Sequence, residues 1–262
     1  FKFTEYVMLF APMGIFGAIA YTVGSNGIAI LFNYGKIILS LYTALAVFVT
    51  VVLIIACKIV KISVRGLIKA IQEPALLTFT TASSEAALPK AMTIMEKFGV
   101  PKSIVGFVMP TGYTFNLDGS TLYLAMAVLF STQLVGIDMT IEQQLVVMFA
   151  LMLTSKGVAG VPRASIIVLA GTLTSFNIPI VGVAVLLGID QILDMGRTAV
   201  NLIGNCVATV VIARWENAFD YNKMADFIKM KNLKTNTLTK IKHDVSFQKD
   251  FVGDKSEIEI KA

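Results

Sequence analysis

Charged side chains are scarce in this chain, 15% of residues against the roughly 25% of a soluble domain. With 56% hydrophobic residues and a mean hydropathy of +0.76, an ordinary water-soluble globule is excluded. Histidine occurs once, at His243 in the C-terminal tail. A hydrolase built on Ser83 or Ser84 with Asp118 would therefore lack a neighbouring imidazole, and an enzyme is not expected. Cysteine occurs twice, Cys57 and Cys206, each inside an apolar run. Two isolated buried thiols follow, with no disulfide framework and no metal site. The net charge of +5 collects in loops and tail, so it is no footprint for nucleic acid.

What the chain has instead is length without charge. Ile37 to Cys57 is an uncharged run of about the ~20 residues a spanning helix needs, bracketed by Lys36 and Lys58. Tyr6 to Gly35 contains a second span. Lys58, Lys61, Arg65 and Lys69 follow the Ile37–Cys57 span, Lys90, Lys97 and Lys102 flank another break, and Arg214 opens a Lys-rich tail. By the positive-inside rule these ends are cytoplasmic, opposite Ser25-Asn26-Gly27 and the loop with Asp138 and Glu142. Residues 216–262 alternate Lys with Asp and Glu and read as a solvated, partly disordered terminus, helical at first.

The most informative run is Gly188 to Asn205, GIDQILDMGRTAVNLIGN, which puts three ionisable groups at membrane depth. Each costs at least ~2.5 kcal/mol on insertion scales, so it faces a protein interior or an aqueous cavity. Asp190, Asp194 and Arg197 stand at i, i+4 and i+7, and Thr198, Asn201 and Asn205 continue the row. One polar stripe follows at helical pitch. Its carboxylate, guanidinium, hydroxyl and amide groups have the donors and acceptors for a small zwitterion crossing the membrane.

Two apolar stretches are too short and too broken to span. The first, Gly66 to Phe98, carries Thr80-Thr81-Ala82-Ser83-Ser84-Glu85 at its middle; the second, Glu142 to Phe176, carries Thr154-Ser155-Lys156-Gly157 through Arg163. Apolar arms of this length suit re-entrant hairpins, which survive at membrane depth only when protein-buried or lining a cavity. Soluble loops between core helices are the alternative. Between the two, Ile104 to Ile137 is interrupted at Asn116-Leu117-Asp118-Gly119-Ser120, where glycine permits unwinding and frees carbonyls beside Asn116 and Asp118. A hard monovalent cation fits that oxygen set; a kinked helix with Asp118 satisfied by a neighbour is the plainer reading.

Taken together these motifs resemble the dicarboxylate/amino acid:cation symporters, the glutamate transporter family, and within it the bacterial proton/sodium-glutamate/aspartate branch. TTASSEAALP (Thr80 to Pro89) is similar to that family's first hairpin tip, GYTFNLDGS to its Asn-Met-Asp-Gly-Thr motif with Leu117 and Ser120 as departures, SKGVAGVP (Ser155 to Pro162) to its second tip, and DQILDMGRTAVNLIGN to its last helix. APMGIFGAIAY matches its fifth span. The resemblance runs from residue 1 to about 216 with the motifs in order. Phe1 would then open the fifth of eight spans, and residues 1–262 alone are not expected to transport.

The resemblance implies an all-α membrane protein with transmembrane helices, two re-entrant helical hairpins and discontinuous helices. Residues 1–35 would be a scaffold helix and 36–214 a transport domain. That domain would hold a spanning helix, a first hairpin at about 66–98, a broken helix at about 102–137, a second hairpin at about 142–176 and a polar-striped last helix at about 180–214. Residues 215–262 would be the cytoplasmic tail. Substrate would meet Asp194 through its amino group and Arg197 through its side-chain carboxylate, a bidentate contact lysine cannot reproduce. Thr198, Asn201, Ser120, Ser83, Ser84 and the Val161 backbone would complete the pocket. Having both Asp194 and Arg197 favours L-glutamate and L-aspartate over C4-dicarboxylates or neutral amino acids and cystine.

Sodium ions would use Asn116 and Asp118 in one site, carbonyls near Gly112, Asn116 and Asn201 with Asn205 in another, and carbonyls around Thr114, Leu117, Ser155, Lys156 and Val158 in the remaining one. Asn205 stands where a carboxylate is usual, which tilts coupling toward protons, with Glu85 a candidate proton site. A partner for Glu85 among the vestibule cations is the alternative. Many members carry an extra arginine at the position of Ala82 or Met195, and this chain has neither. No cofactor beyond H+ and/or Na+ is implied; the partners are acidic amino acids, the bilayer of the cell membrane and two further copies in a trimer.

Overall fold

In the computed structural model the structure describes residues 11–28, 30–157 and 164–233. The described residues form helices and no strand. In chain order these are α1 (Ala11–Asn26), α2 (Ile30–Val60), α3 (Val64–Thr81), α4 (Ser84–Lys97), α5 (Lys102–Phe115), α6 (Asp118–Leu134), α7 (Ile141–Thr154), a 3-10 turn (Ser155–Gly157), α8 (Ala164–Ser175), α9 (Val181–Leu187) and α10 (Asp190–Trp215). A further helix, α11, occupies 221–233.

The helices begin and end for identifiable local reasons. Ser63 and Ser83 cap α3 and α4 by accepting from Gly66 N and Ala86 N, and Thr140 with Gln143 forms a capping box on α7. Five termini share one closure, in which a residue at positive φ (Lys61, Gly99, Gly136, Asn177, Asn217) lets the next N–H reach back five residues. That is the Schellman arrangement, which satisfies carbonyls left over at a helix end. At Gly99, φ is +111° and a Cβ would strike the carbonyl of Asp220, so only glycine fits.

Helix α10 is the axis of the fold, packing against α2, α3, α4, α5 and α6. One apolar cluster, with Leu41, Leu124, Leu151, Leu169 and Leu186, takes α10 as far as Val200. A second, with Leu67, Met95, Phe98 and Met109, takes over from Leu202. The buried polar residues of α10 straddle this change. Among the described residues, two helices are long and apolar enough to cross a membrane: Leu31–Val60 with 22% of its apolar window buried, and Asp190–Trp215 with 61%.

Three expected boundaries are corrected. The first helix ends at Gly27, whose φ is +75°, and Gly35 lies inside α2. Residues 30–35 therefore belong to the second helix. The run 180–214 is two helices, because the chain turns at Gly188-Ile189 with Ile189 N–H on Leu186 O (3.0 Å) before α10 begins. The tail is not solvated from Glu216. Met224, Phe227, Ile228 and Lys231 recur at helical spacing, and Phe227 and Phe219 are buried against Phe98 with ring centroids 5.8 and 6.0 Å away. Ile228 lies on Gly66, Lys69 bonds Asn232, and Glu73 holds Lys90 (2.6 Å) and Lys231 (3.3 Å). Averaged over a long Lys-rich segment, this apolar stripe had vanished.

Candidate functional site

Arg197 is the largest side chain of the buried interior, 1% exposed. Its Nε donates to Asp194 Oδ1 at 2.9 Å and its Nη1 to Asp190 Oδ1 at 3.3 Å. The guanidinium lies over the Tyr123 ring, 4.2 Å from Cζ to centroid, and Tyr123 OH donates to Asp190 Oδ1 at 3.2 Å. Thr198 Oγ1 donates to Asp194 Oδ1 at 2.9 Å. A buried cation is tolerated only when paired and hydrogen-bonded, and here two carboxylates hold one guanidinium. The spacing i, i+4, i+7 on α10 creates that geometry.

Asn201 joins α10 to α6. The N-terminal cap position of α6 is Leu117, which has no acceptor, and the Asn201 amide oxygen takes the role from outside. It accepts from Gly119 N at 2.8 Å and Ser120 N at 3.2 Å, while its nitrogen donates to Ser120 Oγ at 2.9 Å. The helices meet backbone to backbone: a Cβ at Gly119 would collide with the carbonyl of Arg197. Thus Asp194, Arg197 and Thr198 bond one another on α10, and Asn201 bonds Ser120 across to α6.

A second polar group forms in the break between α5 and α6. With its amide nitrogen toward Asp118, Asn116 donates to the carboxylate oxygens at 3.0 and 3.1 Å, and its oxygen lies 3.2 Å from Asn205 N. Gly112 and Gly204 leave the room. A Cβ on Gly112 would strike Asn205 Oδ1, and one on Gly204 would lie 2.5 Å from Asp118 Oδ2. Asp118 brings two carboxylate oxygens to this spot, the donor type a hard cation takes, and Asn116 and Asn205 bring amide groups beside them. The Gly112 carbonyl already accepts Asn116 N (2.7 Å), and that of Leu117 accepts both Thr121 N and Thr121 Oγ1. Thr114 lies one turn back in α5.

The hairpin residues divide. Ser83 and Ser84 lie half-buried at the α3–α4 turn, where Ala82 sits at φ 49°. The side chain of Ser83 is used locally as a cap. Glu85 lies beside Tyr113 of α5. Ser155 is fully buried, 3.4 Å from Thr121 Oγ1, and Lys156 Nζ donates to Phe115 O at 2.8 Å. Val158 and Val161 lie outside the described residues. Sequence reasoning overlooked Tyr123, because a tyrosine in an apolar run reads as packing. Its place one helical turn after Ser120 was the available signal.

Curated relatives of this chain are numerous. The sequence profile of the "Sodium:dicarboxylate symporter family" matches residues 1–215. The chain is 47% identical over 228 residues to the "Proton/sodium-glutamate symport protein" of Geobacillus stearothermophilus, covering 87% of this chain and 54% of that protein. It is 48% identical over 223 residues to the "Proton/glutamate-aspartate symporter" of Escherichia coli K12, 85% and 51% of the two chains. The "C4-dicarboxylate transport protein" of Bacillus subtilis 168 is 45% identical over 237 residues, 90% and 56%. The chain thus spans about half the length of the curated relatives it matches. A helix with a buried Asp-Asp-Arg seam beside a broken partner helix, carried in a sequence this close throughout, leaves one assignment: the chain belongs to the sodium:dicarboxylate symporter family.

Proposed function

We propose that the full-length protein is a secondary active symporter of the cell membrane, importing L-glutamate and L-aspartate with protons and/or sodium by alternating access. The observation that carries this reading is Arg197, buried between the carboxylates of Asp190 and Asp194 in the first half of α10, with Thr198 on Asp194 and the Asn201–Ser120 bond one turn further on. A buried guanidinium presents a fork that matches a substrate carboxylate, and Asp194 is the anion for an ammonium. Substrate would enter between the α3–α4 and α7–α8 pairs acting as re-entrant hairpins, with the tail on the cytoplasmic side and the carrier assembled as a homotrimer.

Asn116, Asp118 and Asn205 are the residues that would hold a coupling cation. Sodium, when bound there, supplies positive charge against Asp118. Asn205 contributes an oxygen and no charge, so a proton gradient drives uptake and sodium assists or is replaceable.

The test is uptake by the full-length protein in proteoliposomes of labelled aspartate, glutamate, succinate and serine, with a proton or a sodium gradient. Aspartate and glutamate should dominate. Succinate alone would install the second reading, a C4-dicarboxylate carrier, which the Bacillus subtilis relative's name favours. No uptake of any of the four would overturn both.

A further inference from the structure

Helix α5 stops at Phe115 because the chain unwinds at Asn116-Leu117 before α6 begins at Asp118. The last carbonyls of a helix have no partner within it, and its C-terminal pole carries partial negative charge. At membrane depth these oxygens need a donor or a cation. Asn116 N–H closes on Gly112 O, and the carbonyl of Phe115 accepts from Lys156 Nζ at 2.8 Å, across 41 residues of sequence.

Lys156 reaches this pole from the 3-10 turn that follows α7. The turn is anchored beside it, since Ser155 is fully buried and its Oγ lies 3.4 Å from Thr121 Oγ1 in the first turn of α6. The Lys156 ammonium is thus held at the helix-end carbonyl of Phe115, three residues before Asp118 in sequence. The family resemblance assigned Lys156 to sodium binding through its backbone carbonyl; in the structure the side chain brings the charge itself.

We propose that Lys156 is a tethered counter-ion, filling with its own ammonium a place that would otherwise draw a monovalent cation from solution. Tethering explains why this is effective. A group on a short flexible arm has an effective concentration of the order of mM or more at its site, whatever the bulk sodium. An ammonium also brings three donors and no acceptor, the complement of carbonyl and carboxylate oxygens. The contact exists only while the Ser155–Gly157 turn rests on the α5–α6 break, so the charge at the break follows the position of the α7 arm. The inference rests on the cation-coupled reading above, and it fixes a specificity: this carrier needs less external sodium than its oxygen ligands alone imply.

The test uses full-length protein, with sodium chloride titrated against choline chloride at constant ionic strength and pH. Two readouts are taken: the thermal transition in detergent without substrate, and aspartate uptake in proteoliposomes. Lys156→Met keeps the length of the arm and removes the charge. It should gain a sodium-dependent rise in the transition larger than wild type's, and its uptake at low sodium should fall about tenfold and recover as sodium is added. Lys156→Arg should retain the wild-type sodium curve. Lys156→Gln replaces the methionine variant should that protein not fold. Superimposable sodium curves for wild type and the charge-removing variants would overturn the proposal, reducing Lys156 to an exposed contact of the kind that contributes little. Because the thermal readout needs no substrate, it decides the role of Lys156 even if aspartate is not carried.

Discussion

Among the described residues, the two helices long and apolar enough to cross a bilayer, α2 and α10, handle polar atoms in opposite ways. Helix α2 turns Leu39, Val47, Ile55 and Ile59 outward, each more than half exposed, and buries Leu41, Leu45 and Leu53 on its inner side, where two tyrosines reach backbone carbonyls. Tyr34 OH donates to Val185 O and Tyr42 OH to Ile192 O, both at 2.7 Å. Helix α10 buries its ionisable groups and makes them bond one another, with Asp190, Asp194, Arg197, Asn201 and Asn205 all nearly inaccessible. Both pass a test of length and apolar composition, so passing it assigns neither a role. What separates them is whether the polar residues recur at helical pitch, because only then do they share a face and satisfy each other.

If that contrast is right, damage should scale with distance from the polar seam. Arg197→Ala stands at the top: breaking a buried pair by removing one partner costs about 3–5 kcal/mol, and acidic amino-acid uptake should vanish. Full aspartate affinity in this variant would take Arg197 out of the site.

Asp194→Asn comes next. A hydrogen bond to a charged group is worth about 1.5–3 kcal/mol, and Asp194 holds both Arg197 and Thr198. Competition assays should show amino-acid binding falling far more than succinate binding. Equal losses would leave Asp194 as a partner of Arg197 alone.

Gly119→Ala tests the backbone approach of α6 to α10. Its Cβ meets the Arg197 carbonyl, and overpacking of this kind costs about 1–3 kcal/mol. A lowered thermal transition in detergent is expected, and an unchanged one would mean that the helices separate freely.

Asn205→Asp should act on the ion more than on stability. A second carboxylate beside Asp118 should lower the sodium needed for half-maximal aspartate uptake, by about tenfold for each ~1.4 kcal/mol gained. Steep sodium dependence already present in wild type would contradict the role given to Asn205. On the outer face of α2, Leu39→Ala should change stability by no more than about 0.5 kcal/mol. A large loss there would show that this face is covered in the assembled protein.

Much of this was legible in the sequence because it depends on pitch and on interruption. The row Asp190 to Asn205 and the gap Asn116–Ser120 are local patterns, and the structure places them side by side. What stayed hidden depends on who meets whom. Nothing near Leu117 announces that its missing cap comes from Asn201, more than eighty residues on. Tyr123 looked like packing because an aromatic ring serves packing and a guanidinium equally well. The turn at Gly188-Ile189 was missed since apolar residues continue through it. Phe219 and Phe227 were lost among lysines, for composition averages over a segment whereas burial acts residue by residue.

The docking of α11 on the α3–α4 pair bears on how the protein is made. A ribosome delivers Phe98 and Met95 early and Phe219 and Phe227 among the later codons, yet these rings close one cluster. The nascent α3–α4 pair therefore waits through the synthesis of six further helices with part of its apolar base uncovered. A nonsense codon anywhere between α10 and Phe227 would strip that cover without touching a single residue of the polar seam. Such a shortened product should be cleared by membrane proteases as a folding failure, long before any defect in transport is felt.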